Sequence, residues 1–430
     1  MLLVILPHQL YYNIPKNITK IILWEHPHYF KSYNYNKKKL LLHRASMKYY
    51  YDYLKKKINI NNINYINFNE KFTYDNNYII FDPIDKIKLP GKYEIIESPN
   101  FLLNNDHCEE YHNKNKKSKR IIFNNFYLWS KNKLNIYPGL KSLDKENRQI
   151  FKDIEKIPPL LKVKKDKYIN EAILYVEKYF KNNCGNTDNF NYPISHTEAL
   201  KWLKNFIKYK FKYFGPYQDY IKKDNIHMFH SILSSSINIG LINPSDIINN
   251  IHKVNVKIPI NSFEGFVRQL FWREYQRYCY KYINFNKNYF GNKKKLTKKW
   301  YTGELGIDIV DDLIKTGFDT GYIHHIGRLM VMGNFMNLYG IAPKEGFRWF
   351  MEFSIDSYEW VMHQNVLDMV FFVTGGQTMT RPYISSSNYI LKMSDYKKSD
   401  WSIKWDKLYH DFIKKHRAKL YKFRYYFPSL

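Results

Sequence analysis

The sequence predicts an α/β domain with a mostly parallel sheet, followed by an all-helical domain. In the first third of the chain, short apolar segments rich in β-branched residues alternate with helical sequence. Beyond Tyr168 the strand patterns end, and amphipathic helical patterns follow one another. A basic, irregular stretch separates these regions. We therefore expect an α/β domain over residues 1–112, a linker over 113–167 and a helical domain over 168–430.

The α/β domain is predicted from five strands and one helix. The helical pattern Arg44–Lys57 lies between the second and third strands, as in a β-α-β unit of an open parallel sheet. The loop after the first strand contains Pro7, His8 and Gln9 and lies at a carboxyl edge where ligands commonly bind, although an ordinary strand-ending turn is the favoured interpretation. The predicted strands are Leu2–Leu6, Ile21–Trp24, Ile63–Phe68, Tyr78–Phe81 and Tyr93–Glu97.

Two helix starts carry polar groups of interest in the second half. Ser195 and Glu198 form a capping box before an apolar helical pattern. The sequence HSILSSS at 230–236 is predicted to open another helix, where the hydroxyls of Ser231, Ser234 and Ser235 and the free backbone N–H groups suit a phosphate or pyrophosphate. Serines that only cap a helix are the commoner explanation of such a motif.

A strongly amphipathic helix is predicted over residues 263–278. Gln269, Trp272 and Arg273 are spaced i, i+3 and i+4, so an amide, a large aromatic ring and a cation share one side. This trio can stack on and hydrogen-bond a flat heterocycle while the arginine meets a phosphate. By itself, a core tryptophan flanked by solvated polar residues is the better interpretation.

The segment from Tyr322 to Tyr383 holds the strongest indication of a site. His324 and His325 are followed by Arg328, within otherwise apolar helical sequence. We expect Asp356 to be the buried partner of Arg328, because an unpaired arginine there would be costly. Polar groups are costly to bury unless they are paired or used, so the segment predicts a lined cavity.

Composition restricts the class of partner and the compartment. Lys+Arg 68 against Asp+Glu 39 gives a net charge of +29, which favours a polyanion such as nucleic acid over a merely solvated basic surface. The chain is rich in Asn, Lys, Ile and Tyr, the residues of AT-rich codons, so we expect mutational drift to account for part of the lysine excess. The three cysteines are far apart, with no metal-ligand or redox spacing. Since no stretch approaches membrane-spanning length, we expect a soluble intracellular protein without a membrane partner.

Short motifs ordered from Lys37 to Arg417 carry a family resemblance. They are KKKLLLHRASMKYY, LDKENRQ, HSILSSSINIGL, EGFVRQLFWREY, HHIGRLMVMGNF, DSYEWV, NVLDM, RPY and SSNYILKMSDY. Together they resemble the photolyase/cryptochrome flavoproteins, and most closely the photolyase-related branch that includes bacterial (6-4) photolyases, often called iron–sulfur cryptochrome/photolyases. The resemblance implies a Rossmann-like antenna-type domain, which can carry an antenna chromophore, and an all-α FAD-binding domain.

The resemblance also implies a role for each matching residue. The residues implied to bind FAD are His230, Ser231, Leu233, Ser234, Arg273, Arg328, Asp356 and Asn365. Those implied to face the DNA lesion are Gln269, Trp272, Met369 and Arg381. The implied catalytic group is His325, the proton donor to the photoproduct, with His324, Tyr383 and Tyr389. Electron transfer is implied for Trp349 and Tyr301.

The chain departs from this branch at the metal cluster. Relatives carry four cysteines that bind a [4Fe–4S] cluster, and cysteine thiolates are its ligands. The matching positions here are Ile309, Lys397, Asp400 and Ile403. We therefore expect no iron–sulfur cluster and no other metal.

Two further departures concern light and electrons. Phe350 lacks the phenol that relatives carry, and Tyr301 stands where a tryptophan is expected, next to Trp300. Photoreduction through Trp349 is therefore expected to be slow or rerouted. The residues before Gln9 are proline and histidine instead of the usual Gly-Asp, which puts a lumazine-type antenna in doubt.

The expected function is a deoxyribodipyrimidine photolyase-type lyase, of the (6-4) kind, in which reduced FAD gives an electron to a flipped-out pyrimidine dimer in ultraviolet-damaged DNA. We expect a monomer in the cytoplasm or nucleus. Two alternatives stay open: a cryptochrome-like FAD photosensor without repair activity, and a basic nucleic-acid-binding protein on a decayed photolyase fold. His325, Gln269 and the two tyrosines favour repair, while (6-4) and cyclobutane lesions are not distinguished.

Overall fold

The N-terminal domain contains the strands β1 (Leu2–Ile5), β2 (Lys20–Trp24), β3 (Ile63–Ile66), β4 (Tyr78–Phe81) and β5 (Tyr93–Ile96). They form a parallel sheet in the order β3-β2-β1-β4-β5. The computed structural model describes residues 1–57, 62–73, 77–153, 155–254 and 257–427. All residues of β1 and β4 are buried, as in parallel sheets covered on both faces, whereas the edge strand β5 is largely exposed. The five predicted strands are therefore confirmed.

The loop after β1 is a buried strand-ending turn. His8 lies beside Tyr29, with ring centres 4.5 Å apart, and its Nε2 is 3.1 Å from the Pro83 carbonyl oxygen. Gln9 donates through Nε2 to the Phe81 carbonyl at 2.7 Å. These contacts join the ends of β1 and β4, which agrees with the favoured interpretation of this loop.

The helix between β2 and β3 spans Lys37–Lys57 and begins a full two turns before the predicted Arg44. Its first half packs against the helical domain. Lys39 donates to the Ser357 hydroxyl at 2.9 Å, and the His43 Nε2 is 2.9 Å from the Tyr358 hydroxyl. The helix therefore connects the sheet to the segment that carries Asp356.

The predicted linker 113–167 is not irregular throughout. It contains the α-helix Phe123–Leu134 and a 3₁₀ turn at Asp144–Asn147. The basic composition of this stretch conceals an apolar helix face, on which Phe126 is completely buried. The expectation of a continuous irregular stretch is wrong at this helix.

From Lys167 onward, the regular elements in the described part of the chain are helices. The longest, Ile260–Tyr282, is largely buried in the centre of the domain. The α-helices of the whole chain are α1 (His28–Lys31), α2 (Lys37–Lys57), α3 (Asn105–Asn115), α4 (Phe123–Leu134), α5 (Lys167–Tyr179), α6 (His196–Tyr209), α7 (Phe211–Tyr217), α8 (Ser234–Asn238), α9 (Pro244–His252), α10 (Ile260–Tyr282), α11 (Lys299–Thr302), α12 (Asp308–Thr320), α13 (Asn334–Tyr339), α14 (Pro343–Phe353), α15 (Glu359–Met362), α16 (Ser387–Lys392), α17 (Asp400–Lys415) and α18 (Arg417–Leu420).

Three short segments complete the helical domain. Gly327–Gly333 and His363–Val370 are π-helical, and Tyr421–Tyr426 is a 3₁₀ helix. Among the residues that the structure describes, no helix combines the length and the apolar character needed to cross a membrane.

Candidate functional site

A cavity of about 600 Å³ lies within the helical domain. Its volume falls in the range of cofactor and substrate pockets, about 300–1,000 Å³. Sixteen of the predicted site residues line it: His230, Ser231, Leu233, Ser234, Gln269, Trp272, Arg273, His324, His325, Arg328, Asp356, Asn365, Met369, Arg381, Tyr383 and Tyr389. The structure therefore brings together residues that are far apart in the sequence.

Helix α10 contributes a buried cation to the cavity wall. Arg273 donates through Nε to the Asn238 side-chain oxygen at 3.0 Å, and its guanidinium lies 4.3 Å from the centre of the Phe101 ring. Within the described residues, no carboxylate forms an ion pair with Arg273. Burial lowers the pKa of this group to about 10. A buried charge is stabilised by a paired opposite charge, so the position suits an anionic ligand.

Arg328 and Asp356 form the expected ion pair in the same wall. Two nitrogens of Arg328 lie 2.9 and 3.3 Å from the Asp356 carboxylate oxygens. Arg328 also donates through Nε to the Ile323 carbonyl at 2.5 Å. Burial by itself would raise the pKa of Asp356, but the charge and hydrogen bonds of Arg328, together with hydrogen bonds from Ser234 and Ser354, outweigh it and hold this pKa below its ordinary value.

Both π-helical segments line the cavity, and sequence reasoning did not find them. Arg328 lies in the first, and Asn365 and Met369 lie in the second. The segments touch at Gly333, where a Cβ atom would lie 2.6 Å from the methyl groups of Val370. Single π-helical turns occur frequently at functional sites, and a 3.6-residue periodicity does not reveal them.

The HSILSSS motif has a different conformation from the one expected. The helix begins at Ser234 rather than at His230, and α8 is only five residues long. Ile232 has a φ of 55°, a left-handed conformation that a β-branched residue rarely adopts. This turn directs residues 230–233 along the cavity wall, so the polar contribution of the motif comes from its side chains rather than from a long helix.

The exposed rim of the cavity carries a chain of alternating charges that the sequence did not predict. Arg268 pairs with Asp144 at 2.9 Å, and Asp144 pairs with Arg148 at 2.5 Å. Arg148 lies 3.6 Å from Asp219, which lies 3.1 Å from the His325 Nε2. Only the LDKENRQ motif, which supplies two members, offered a signal in the sequence. This series of charged side chains fixes the orientation of the His325 ring.

The opposite side of the rim is aromatic. Trp272 stacks on Phe123 of α4, with ring centres 3.7 Å apart and planes at 11°. The Gln269 amide nitrogen is 3.4 Å from the Gln218 side-chain oxygen. The Arg381 guanidinium lies 5.5 Å from the centre of the Tyr383 ring. A flat, apolar surface with a few polar groups suits a stacked base.

Trp349 and Tyr301 are the two predicted site residues that do not line the cavity. Trp349 is completely buried, and its ring centre is 4.6 Å from that of Phe353. Phe350, its neighbour, stands in the wall instead. Tyr301 donates its hydroxyl to Glu352 at 2.7 Å. These rings therefore form a second layer behind the wall.

A second cavity, of about 380 Å³, is basic. Four cations line it, with no acidic residue among the lining: Lys119, Arg120, Lys287 and Lys422. We call these four residues the basic pocket. Arg120 donates to the Thr380 carbonyl at 3.5 Å, next to Arg381 in the wall of the main cavity. The basic sequence NKNKKSKR at 113–120, within the predicted linker, supplies two of the four cations.

Comparison with known proteins identifies the family to which this fold belongs. Residues 3–80 and 82–192 match the family model of deoxyribodipyrimidine photo-lyase-related protein, and residues 266–414 match the FAD binding domain of DNA photolyase. A (6-4) photolyase of Agrobacterium fabrum (strain C58 / ATCC 33970) is 36% identical over 305 residues, which cover 66% of this chain and 59% of that protein. An uncharacterized protein of Acanthamoeba polyphaga mimivirus is 55% identical over 85 residues, covering 20% of this chain and 69% of that protein.

Among solved structures, a bacterial class III photolyase from Agrobacterium tumefaciens has the same fold. Its TM-score is 0.54 at 12% identity, and the alignment covers 97% of both chains. The chain belongs to the photolyase/cryptochrome superfamily, in the branch of the photolyase-related proteins. Its helical domain is an FAD-binding domain of the photolyase type.

Proposed function

We propose that this protein is a light-dependent DNA repair flavoprotein of the (6-4) photolyase type. The proposal rests on the main cavity, which brings the side chains suited to FAD together with those suited to a damaged base. The chain spans about three-fifths of the (6-4) photolyase to which it is similar, so the activity is our inference for this chain.

The residues of the inner wall fit FAD. Arg273 is a buried cation without an acidic partner in the described chain, and Ser231 and Ser234 add hydroxyls nearby, so this group would bind the pyrophosphate. The Arg328–Asp356 pair and Asn365 would lie beside the flavin ring. Bound FAD would supply one-electron photochemistry that no side chain can perform.

The rim fits an extruded pyrimidine lesion. The stacked rings of Trp272 and Phe123 offer an aromatic surface, and the Gln269 amide offers hydrogen bonds. A damaged base pair costs less to open than a sound one, which gives selectivity for the lesion. His325, oriented by Asp219, would hold and deliver the proton to the photoproduct.

The second layer of aromatic rings fits a path for electrons to the surface. The ring centre of Phe318 lies 5.7 Å from that of Trp349 and 5.5 Å from that of Tyr301. Tyr301 would be the outer member of this path, since its hydroxyl already donates to Glu352. Phe350 has no phenolic proton to lose and therefore cannot replace it.

The basic pocket would hold phosphates of the DNA strand that flanks the lesion. It adjoins Arg381 of the main cavity through the contact of Arg120 with Thr380. Phosphate contacts of this kind position a protein on DNA without reading its sequence. This role gives a use to part of the +29 net charge.

Three further features belong to the proposal. We infer that the protein lacks an iron–sulfur cluster, because none of the four matching positions carries a thiol and the free cysteines are Cys108, Cys184 and Cys279. We infer that it acts as a monomer inside the cell. An antenna chromophore, if one is bound, would occupy a place other than the buried turn after β1.

Illumination of defined lesions tests the proposal. The purified protein should be yellow, and after reduction it should restore an oligonucleotide with one (6-4) photoproduct under blue light but not in the dark. An oligonucleotide with one cyclobutane dimer reports the choice of lesion. Bound flavin without repair of either lesion would indicate the photosensor, whereas a colourless protein that binds DNA would indicate a nucleic-acid-binding protein.

A further inference from the structure

Three histidine rings meet at the wall of the main cavity. His230, His324 and His325 each offer a ring nitrogen, and the three nitrogens lie within 4.8 Å of one another. The rings of His230 and His324 are stacked with centres 4.9 Å apart, and the ring of His325 stands at 75° to both. Among the residues that the structure describes, no other group of three potential metal ligands is this close together.

His324 has a buried ring without hydrogen bonds. It is 4% exposed, and neither Nδ1 nor Nε2 has a partner in the described part of the chain. An unpaired buried polar group is unfavourable, because it has lost its hydrogen bonds to water without gaining others. A ligand that bonds to either nitrogen would recover this cost, so the ring is available to a bound group.

His230 also has a nitrogen whose present contact is unfavourable. Its Nδ1 lies 3.1 Å from the His227 carbonyl oxygen, and its Nε2 lies 3.0 Å from the Gln218 carbonyl oxygen. A neutral imidazole has a single N–H, so only one of these two nitrogens can donate to its carbonyl oxygen. The other nitrogen directs its lone pair at an oxygen, and a small rotation of the ring towards a cation would end this unfavourable contact.

His325 has the supporting carboxylate that metal-bound histidines usually have. Its Nε2 is 3.1 Å from an Asp219 oxygen. A carboxylate that accepts one ring N–H orients the imidazole and makes the other nitrogen a better ligand. The Nδ1 of His325 would then be the ligand atom.

The sequence analysis expects no metal, but this geometry differs from that expectation, and we propose that His230, His324 and His325 form a binding site for Zn²⁺. Imidazole nitrogens suit Zn²⁺, whereas Mg²⁺ and Ca²⁺ prefer oxygen ligands. Nitrogens on a tetrahedral zinc with bonds of about 2.0–2.1 Å lie about 3.4 Å apart, so small ring rotations close the cluster. Three protein ligands leave a fourth position for water or a base.

The site has a consequence that rests on the proposed function. The three rings line the cavity in which the lesion would be bound. An ion there would occupy the space of the extruded base and use the His325 nitrogen that is needed for proton transfer. Zn²⁺ would therefore inhibit repair.

Metal binding by the flavin-loaded protein tests the site without reference to repair. The protein is treated with a chelator, dialysed, and titrated with Zn²⁺ against a chromophoric competitor. We expect one Zn²⁺ per chain, and with Co²⁺ the visible absorption of a tetrahedral site. His324→Ala and His325→Ala should each weaken Zn²⁺ binding by at least about 100-fold, since even loss of a supporting contact costs 10–100-fold. His325 is exposed, so its variant keeps the test valid if His324→Ala does not fold.

His416→Ala is the matched control, because His416 is also buried with an unpaired Nε2 but lies outside the cluster. It should bind Zn²⁺ like the wild type. Absence of stoichiometric binding, or equal affinity in wild type and His325→Ala, would overturn the site. A protein that binds Zn²⁺ through these histidines but never repairs DNA would overturn the proposed function alone. Undiminished repair at saturating Zn²⁺ would overturn the inhibitory role.

Discussion

At the scale of single residues, the charge of Asp356 depends on Arg328. Asp356 is 7% exposed, and Arg328 supplies its ion pair. Removal of one partner from a buried pair leaves an uncompensated charge, which costs about 3–5 kcal/mol. We expect Arg328→Ala to lose this much unfolding free energy in urea and to release flavin during gel filtration.

A second substitution separates charge from packing. Asp356→Asn in the Arg328→Ala background removes the uncompensated charge, so it should restore a large part of the lost stability. Flavin retention and stability equal to the wild type in Arg328→Ala would remove this pair from the site.

The histidine at the rim is expected to act in chemistry rather than in cofactor binding. His325→Ala should keep its flavin spectrum and lose (6-4) repair in a single-turnover assay, because the proton donor is absent. His410→Ala, at an exposed position of α17, is the control and should repair normally. Unchanged turnover in His325→Ala would show that another group delivers the proton.

The sequence predicted a contact between residues where a buried charge without a partner would be energetically costly. Arg328 needed a carboxylate, and the structure places Asp356 against it. Asp219 was missed because its local sequence, PYQDY, carries no signal, and only the folded chain brings it to His325. Propensity and spacing describe neighbours along the chain, whereas such contacts depend on tertiary packing.

At the scale of elements, the two π-helical segments depend on a close contact. Gly333→Ala places a methyl group 2.6 Å from the side chain of Val370 and pushes the segments apart. Overpacking of this kind costs typically 1–3 kcal/mol. We expect that loss in thermal or urea unfolding, together with weaker flavin retention.

Val370→Ala should relieve the effect of Gly333→Ala, because it removes the two methyl groups in the way. The double variant is therefore expected to bind flavin better than Gly333→Ala. If the single glycine variant is as stable as the wild type, the segments can separate freely.

The strands were predictable because buried β-branched residues in short apolar runs leave few alternatives, as in β1 and β4. The start of α8 was not predictable, because Ile232 adopts a left-handed backbone conformation that contradicts the propensity of a β-branched residue. Helix α4 was concealed by its polar residues, since Asn124, Asn125, Asn132 and Lys133 are exposed and Lys131 is buried. The features of the helices that the sequence did not predict thus lie mainly in the wall of the cavity.

At the scale of the whole molecule, the basic pocket predicts how DNA binding responds to salt. Lys119→Glu with Arg120→Glu should weaken binding to damaged and undamaged duplexes alike. The slope of log affinity against log salt should fall by about 0.9 for each lost phosphate contact. Fluorescence anisotropy at several salt concentrations measures both effects.

Lys55→Glu with Lys56→Glu is a matched control, since it makes the same charge change at the exposed end of α2. It should leave the slope nearly unchanged. An equal loss of slope in both double variants would show that the net charge, rather than the pocket, drives binding.

Acid should destabilise the molecule through its buried histidines. Burial lowers the pKa of His8 from 6.5 to about 3, so between pH 6 and pH 4 the unfolded chain holds a proton that the folded chain does not. The contribution of His8 to the free energy of unfolding is therefore fully present above pH 6.5. Below that pH, the free energy of unfolding falls by about 1.4 kcal/mol per pH unit. His8→Asn should flatten the pH dependence of urea unfolding by that amount. An unaltered slope would mean that His8 protonates without unfolding.

The hydrogen bonds from α2 to Ser357 and Tyr358 connect the α/β domain to the segment next to Asp356, which lines the cavity. Lys39 is 1% exposed, and its partners belong to the peptide segment that follows Asp356. A fragment that begins at the helical domain would leave this segment without its neighbours. The α/β domain therefore supports the cofactor site structurally, whether or not it binds a chromophore of its own.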